Sequence, residues 1–145
     1  MFRRLCLGLA FLLIFTSAAH AEMVSIGRAK AKMRSGPDEK SPIKWELGAG
    51  YPLKVVSRQG NWLKVTDYES DSGWIYKKQV GPTPYVIVKN KKTILRNGPG
   101  NKERAVGNAD RGVVLRTIKH KNSWVQVKHE TGLTGWVKRD DLWGW

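Results

Sequence analysis

Two tryptophans occupy matching places in this chain, each opening an apolar stretch after a polar turn. Trp62 follows Gln59-Gly60-Asn61, and Trp124 follows Lys121-Asn122-Ser123. An indole so placed can stack on a sugar ring or a proline and donate one hydrogen bond; it can equally close the end of a small core. Upstream of each lies an arginine next to a Gly-Pro pair, Arg34 before Gly36-Pro37 and Arg96 before Gly98-Pro99. A guanidinium there can grip a carboxylate with two parallel bonds, or be spent on an ion pair within the domain or on solvent. Lys119 and Lys121 stand close to Trp124 and add cationic character. Together these residue types hold rings and anions; they do not break bonds.

Catalytic constellations are not found. The one cysteine, Cys6, lies near the N-terminus, and there is no Gly-x-Ser-x-Gly elbow. Asp67, Glu69 and Asp71 cluster in one predicted loop and Asp140-Asp141 in another, whereas a glycan hydrolase needs an acid and a base facing each other across a cleft. His120 and His129 flank one predicted hairpin without a third ligand nearby in sequence, so neither metal nor cofactor is expected. The chain reads as a binding protein and not as an enzyme.

The first 21 residues set the expected compartment. Arg3 and Arg4 precede an uncharged apolar run from Leu5 to Phe15, and Ala19-His20-Ala21 places small residues where a signal peptidase reads. This predicts a Sec signal peptide over residues 1–21, cleaved after Ala21, and a periplasmic or secreted product. The apolar run is shorter than the roughly 20 residues a membrane-spanning helix needs, so no transmembrane anchor is expected after cleavage. Cys6 would leave with the leader, which rules out disulfides and thiol chemistry in the remainder.

The formal net charge is +14 from 26 basic and 12 acidic residues. The leader holds two of the basic residues and none of the acids, which leaves +12 for the rest. A surface of this kind attracts polyanions, or simply keeps a small domain soluble. Beyond the inner membrane the anions at hand are envelope polymers, and nucleic acid is not an expected partner. The excess is greater in the second half, where Lys89, Lys91, Lys92, Arg116, Lys119, Lys121, Lys128, Lys138 and Arg139 crowd together. On alternating strands several of these would share one face.

The elements that must position these side chains are repeated. A shift of 62 residues lays Met33-Arg34-Ser35-Gly36-Pro37 on Leu95-Arg96-Asn97-Gly98-Pro99, Trp62-Leu63-Lys64-Val65 on Trp124-Val125-Gln126-Val127, and Gly73-Trp74-Ile75 on Gly135-Trp136-Val137, without a gap. Gly81-Pro82-Thr83-Pro84 stiffens the join. The expected organisation is therefore a first unit over 22–81, a proline linker over 82–84 and a second unit over 85–145. Both units show alternating apolar and polar positions, β-branched residues and frequent turn signals, with no sustained helical period. Each predicts a small all-β barrel whose core rests heavily on aromatics. Trp74 and Trp136 read mainly as structural. Trp45, Trp143 and Trp145 have no counterpart in the other repeat.

Four features recur in both units: an apolar-Arg-x-Gly-Pro loop, a glycine before an apolar strand, a tryptophan opening the next strand, and Gly-Trp-Ile/Val near the end. In these the chain resembles the bacterial SH3-like (SH3b) domain family, and Ser41-Pro42-Ile43-Lys44-Trp45 and Asp141-Leu142-Trp143-Gly144-Trp145 resemble segments of its exported two-repeat proteobacterial members. The resemblance spans residues 24–145. It implies two tandem five- to six-stranded SH3-like barrels, export and a non-catalytic role, commonly peptidoglycan binding. Within it, Trp62, Trp124, Arg34, Arg96, Lys119 and Lys121 become the expected ligand-binding residues, and Gly36, Pro37, Gly73, Trp74, Gly98, Pro99, Gly135 and Trp136 the structural motif. The expected partner is peptidoglycan or another anionic envelope polymer; the alternative is an envelope protein or peptide. The second repeat departs from the pattern at Arg104 and Gly107, which stand where the first has Pro42 and Trp45.

Overall fold

A computed structural model describes residues 21–145. The signal-peptide expectation therefore falls outside the described residues, save for Ala21. The first repeat contributes β1 (Met23–Ile26), β2 (Ala31–Arg34), β3 (Ile43–Leu47), β4 (Pro52–Gln59), β5 (Trp62–Thr66), β6 (Ser72–Tyr76), a 3-10 turn (Lys77–Gln79) and β7 (Val80–Gly81). The second contributes β8 (Tyr85–Val88), β9 (Lys92–Arg96), β10 (Ala105–Asp110), β11 (Val114–Lys121), β12 (Trp124–Lys128), β13 (Thr134–Lys138), a 3-10 turn (Arg139–Asp141) and β14 (Leu142–Gly144). Each forms one antiparallel sheet with the same strand order, β3-β2-β6-β5-β4-β1-β7 and β10-β9-β13-β12-β11-β8-β14. This is the two-barrel all-β architecture expected from the sequence, with seven strands per sheet rather than five or six. The surplus comes from short end pieces such as β7, two residues long, which follows the 3-10 turn onto β1. Among the described residues no helix is long and apolar enough to cross a membrane.

Period-two alternation builds both cores. In β5, Leu63 and Val65 point inward while Trp62 and Lys64 point outward, and Val125 and Val127 repeat this in β12. The first core gathers Met33, Leu47, Leu53, Leu63, Val65 and Ile75, and the second gathers Val88, Leu95, Leu115, Val125, Val127 and Val137. Burial of such aliphatics stabilises by roughly 1.5–3 kcal/mol each. The long strands β4 and β11 skip one residue against their partners, at Val56 and at Ile118. Such bulges bend a strand and sharpen its twist, which helps a short sheet curl on itself.

Glycine in the Gly-Trp motif is forced by packing. A Cβ on Gly73 would lie 2.6 Å from Met33 Cγ and 3.0 Å from the Arg34 carbonyl oxygen, and one on Gly135 would lie 2.9 Å from Leu95 Cβ. At this point β6 crosses β2, and β13 crosses β9, through the single pairs Arg34–Trp74 and Arg96–Trp136.

The repeats dock on each other through two tyrosines. The Tyr85 ring of the second unit lies over Gly50 of the first. Tyr68 of the first reaches Gly112 of the second, with the Arg111 guanidinium 5.4 Å from its ring centre. Ser25 Oγ donates to the Thr83 carbonyl at 2.7 Å, which ties β1 to the proline-flanked join.

Candidate functional site

The register places the expected binding residues on the outward faces of the two sheets. In the second repeat, cross-strand pairs run Lys119–Gln126–Trp136–Arg96 and Lys121–Trp124–Lys138. Residues directly opposite each other share a face, so Trp124, Arg96, Lys119 and Lys121 lie on one surface. Lys119 Nζ stands 5.6 Å from the centre of the Trp136 ring, close enough for a cation–π contact. Arg116 and Lys128 are also opposite each other, which carries the basic face toward the other end of these strands. Beside Trp124 a depression of about 150 Å³ is lined by Lys92, Ile94, Arg96, Lys138 and Asp141. Asp141 is pinned there, accepting from Asn90 Nδ2 and Thr93 Oγ1, both at 2.6 Å.

The matching face of the first repeat has another chemistry. Its rows run Ser57–Lys64–Trp74–Arg34 and Gln59–Trp62–Tyr76. Ser57, Gln59 and Tyr76 occupy the places of Lys119, Lys121 and Lys138. Trp62 is half-buried, with the Tyr76 ring centre 5.6 Å away at 55°. Trp124, by contrast, is only 8 % exposed. The first face is thus an aromatic surface with its rings partly in solvent, and the second is a cationic surface over covered indoles. Sequence reading did not anticipate Tyr76 as a member of this surface. Its signal was available in the alternation along β6, which sends Trp74 and Tyr76 to the side opposite Ile75.

Arg34 and Arg96 have a defined local role. Arg34 Nη1 donates to the Ser41 carbonyl at 2.9 Å and Arg96 Nη1 to the Glu103 carbonyl at 3.0 Å. The loop each arginine closes is stapled identically in its backbone: Ser35 N–H to Pro42 O and Asn97 N–H to Arg104 O, at 3.0 and 2.8 Å. A Cβ on Gly36 or Gly98 would press on the Ser41 or Glu103 side chain across the loop, which would have to turn aside. The two arginines therefore close the loops beside the sheet faces.

The acidic loop is structural. Asp67 is buried; its Oδ1 accepts the Glu69 and Asp71 amides at 3.0 and 2.9 Å, and its Oδ2 accepts the Tyr51 hydroxyl at 3.1 Å. Burial, and then the Asp67 charge, push the Tyr51 phenol well above its ordinary range. In the second repeat His129 stands at this place and its Nδ1 accepts the Thr131 amide at 3.2 Å. Among the described residues no three His, Cys, Asp or Glu side chains are grouped to hold a metal.

The Trp143 and Trp145 tail is woven into the second barrel. Trp143 pairs with Ile87 in β14, Trp145 N–H donates to the Tyr85 carbonyl at 3.1 Å, and Thr117 Oγ1 donates to the Trp145 carbonyl. The large apolar side chains most open to solvent in the first repeat lie instead on the edge strand β3 and on the β4 bulge: Ile43, Trp45 and Val56, with Trp45 51 % exposed.

The chain is similar to several known proteins. Over 148 aligned residues the chain is 22 % identical to a putative N-acetylmuramoyl-L-alanine amidase, YrvJ, of Bacillus subtilis (strain 168), covering 88 % of this chain and 28 % of that protein. The chain thus spans little more than a quarter of this relative. Among solved structures, an NlpC/P60 family protein from Bacillus cereus ATCC 10987 matches with 17 % identity over 86 % of this chain and 56 % of its own, at a TM-score of 0.40. NlpC2 from Trichomonas vaginalis matches with 11 % identity over 88 % of this chain and 49 % of its own, also at 0.40. The endolysin LysPBC5 CBD matches with 14 % identity over 88 % of this chain and 96 % of its own, at 0.35. The family model described as bacterial SH3 domain matches twice, over residues 27–81 and 89–144, one match on each barrel, and the chain belongs to that family.

Proposed function

We propose that this chain is an exported, non-catalytic binding protein of the cell envelope, and that its ligand is peptidoglycan. The observation that carries the reading is the pair of outward sheet faces at equivalent positions: Trp62 with Tyr76 and Trp74 on one, and Trp124 with Lys119, Lys121 and Arg96 on the other. Partly exposed rings suit stacking on glycan, and a lysine-rich face suits the carboxylates of cell-wall peptides. Family membership supports it, as does a relative named as an amidase that acts on N-acetylmuramoyl-L-alanine. The two faces divide the labour, the first taking rings and the second taking charge. Export rests on the predicted leader over residues 1–21, and the unit boundaries near 22–81, 82–84 and 85–145 follow from the repeat.

The test is co-sedimentation of residues 22–145 with purified sacculi across a salt series, with Trp62→Ala alongside. Binding that persists in moderate salt and drops with Trp62→Ala supports the reading. No sedimentation at any salt concentration refutes it.

One observation favours the alternative, an envelope protein or peptide partner. Ile43 and Trp45 project from the edge strand β3, which has β2 on one side only. An added strand could pair there. Trp45→Ser would then abolish partner capture and leave sacculus binding intact.

A further inference from the structure

The basic face of the second repeat continues, at the end of its strands away from Trp124, into a hollow beside the first repeat. Two hollows, of about 520 and 270 Å³, adjoin each other where the barrels meet and share Ala49, Tyr85 and Arg116 in their walls. Their charged lining is Arg28 from the first repeat and Arg116, Lys128 and Glu130 from the second. Tyr85, Arg116 and Lys128 form a single cross-strand row over β8, β11 and β12. The equivalent row of the first repeat is Met23, Lys54 and Thr66, so the arrangement belongs to the second repeat alone.

This row carries cations without a matching acid. Arg116 and Lys128 are directly opposite across an antiparallel pair, where like charges destabilise, and Arg28 adds a third cation from the adjoining hollow. Among the described residues the one ion pair is Arg58 with Glu22, so none of the three has a carboxylate within bridging distance. Glu130, the one acid in the lining, leaves the cations in excess.

The geometry points to an oxyanion site in the cleft where these hollows adjoin: we infer that it takes a carboxylate or phosphate group, held by Arg116 and Lys128 with Arg28 alongside, while the Tyr85 ring packs against the chain that carries it. An arginine fork suits a planar or tetrahedral oxyanion, and the hollow is of a size that holds small ligands. The site rests on the envelope-binding reading only for the source of the oxyanion.

The experiment is a titration of 15N-labelled residues 22–145 followed by amide NMR shifts. The probes are a soluble muropeptide with free stem-peptide carboxylates, the same muropeptide with its carboxylates amidated, and inorganic phosphate. The expected result is saturable shifts at Ala49, Gly50, Gly112, Arg116 and Lys128 with the free-acid muropeptide, weakened at least tenfold by amidation or by Arg116→Gln with Lys128→Gln. Shifts in the cleft from phosphate alone also support the oxyanion site and identify phosphate as its source. Unshifted cleft amides with both anions, or equal binding of the amidated muropeptide there, overturn it. Shifts confined to the Trp62 and Trp124 faces would leave the envelope reading standing while the cleft proposal falls. Loss of sacculus binding with cleft shifts intact would do the reverse. Lys78→Gln, an exposed change in the first repeat, serves as the charge control and is expected to alter nothing in the cleft.

Discussion

Arg34 donates from its Nη1 to the carbonyl oxygen of Ser41 at 2.9 Å, and the same bond recurs 62 residues later between Arg96 and Glu103. A charged donor on a half-buried carbonyl contributes about 1.5–3 kcal/mol. Arg34→Ala is therefore expected to lower the stability of the first repeat by about that amount. Arg34→Lys should recover only part of it, because an ammonium cannot reproduce the placement of Nη1. Urea denaturation checks this. An unchanged midpoint in both variants would show that the loop holds without its arginine.

The two motif tryptophans should separate stability from binding. Trp124 is almost covered, and truncation of a buried aromatic costs about 3–5 kcal/mol, so Trp124→Ala is expected to unfold or loosen the second barrel. Trp62, partly exposed beside Tyr76, should cost less and act mainly on binding. Thermal melts and sacculus sedimentation of Trp62→Ala, Trp124→Ala and Lys119→Gln check this together. A Trp124→Ala protein as stable as the parent would contradict its burial.

Much of this was legible from the 62-residue repeat and the period-two pattern, because both follow from which positions a small barrel must bury. Gly73 and Gly135 are visible as motif and become explicable only when β6 is seen crossing β2. Lys119 and Lys121 share a face by alternation along β11, but Arg116, of opposite parity, joins that face only through the bulge at Ile118, which the sequence does not announce. What sequence could not give is which tryptophan of a matched pair would be covered. Trp62 and Trp124 occupy equivalent places in the repeat, and their cross-strand neighbours differ, Tyr76 in one case and Lys138 in the other. The cleft was illegible for a similar reason. Arg28 and Lys128 are 100 residues apart, and the docking of Tyr85 over Gly50 sets the hollows they line side by side.

His120 gives a pH signature. Burial first, and the nearby Arg139 second, lower its pKa from the ordinary 6.5; Arg139 Nη1 is 3.5 Å from its Nδ1. The unfolded chain then binds the proton more readily than the folded one. Stability is fully present above about pH 6.5 and declines as pH falls through that value toward the lower folded pKa. His120→Gln should flatten this part of the stability curve, as measured by melting temperature between about pH 7.5 and 5. A slope unchanged by the substitution would assign the effect to other groups.

The contact between the repeats can be weighed by comparing two glycines. Gly50 and Gly112 are equivalent and both have positive φ, 78° and 87°. Alanine at either carries a similar backbone penalty, of order 1–2 kcal/mol. They differ in what a Cβ would meet. At Gly50 it would lie 2.7 Å from Tyr85 Cε1, closer than real contacts allow, whereas at Gly112 it would lie 3.5 Å from the Tyr68 hydroxyl oxygen, an ordinary distance. Gly50→Ala is therefore expected to cost more than Gly112→Ala and, unlike it, to displace Tyr85 and loosen the two barrels. Small-angle scattering should show a larger radius of gyration for Gly50→Ala only. Equal stability losses and equal radii would mean that Tyr85 contributes nothing to holding the barrels together. The cleft would then lack the fixed wall that brings Arg28 within reach of Arg116.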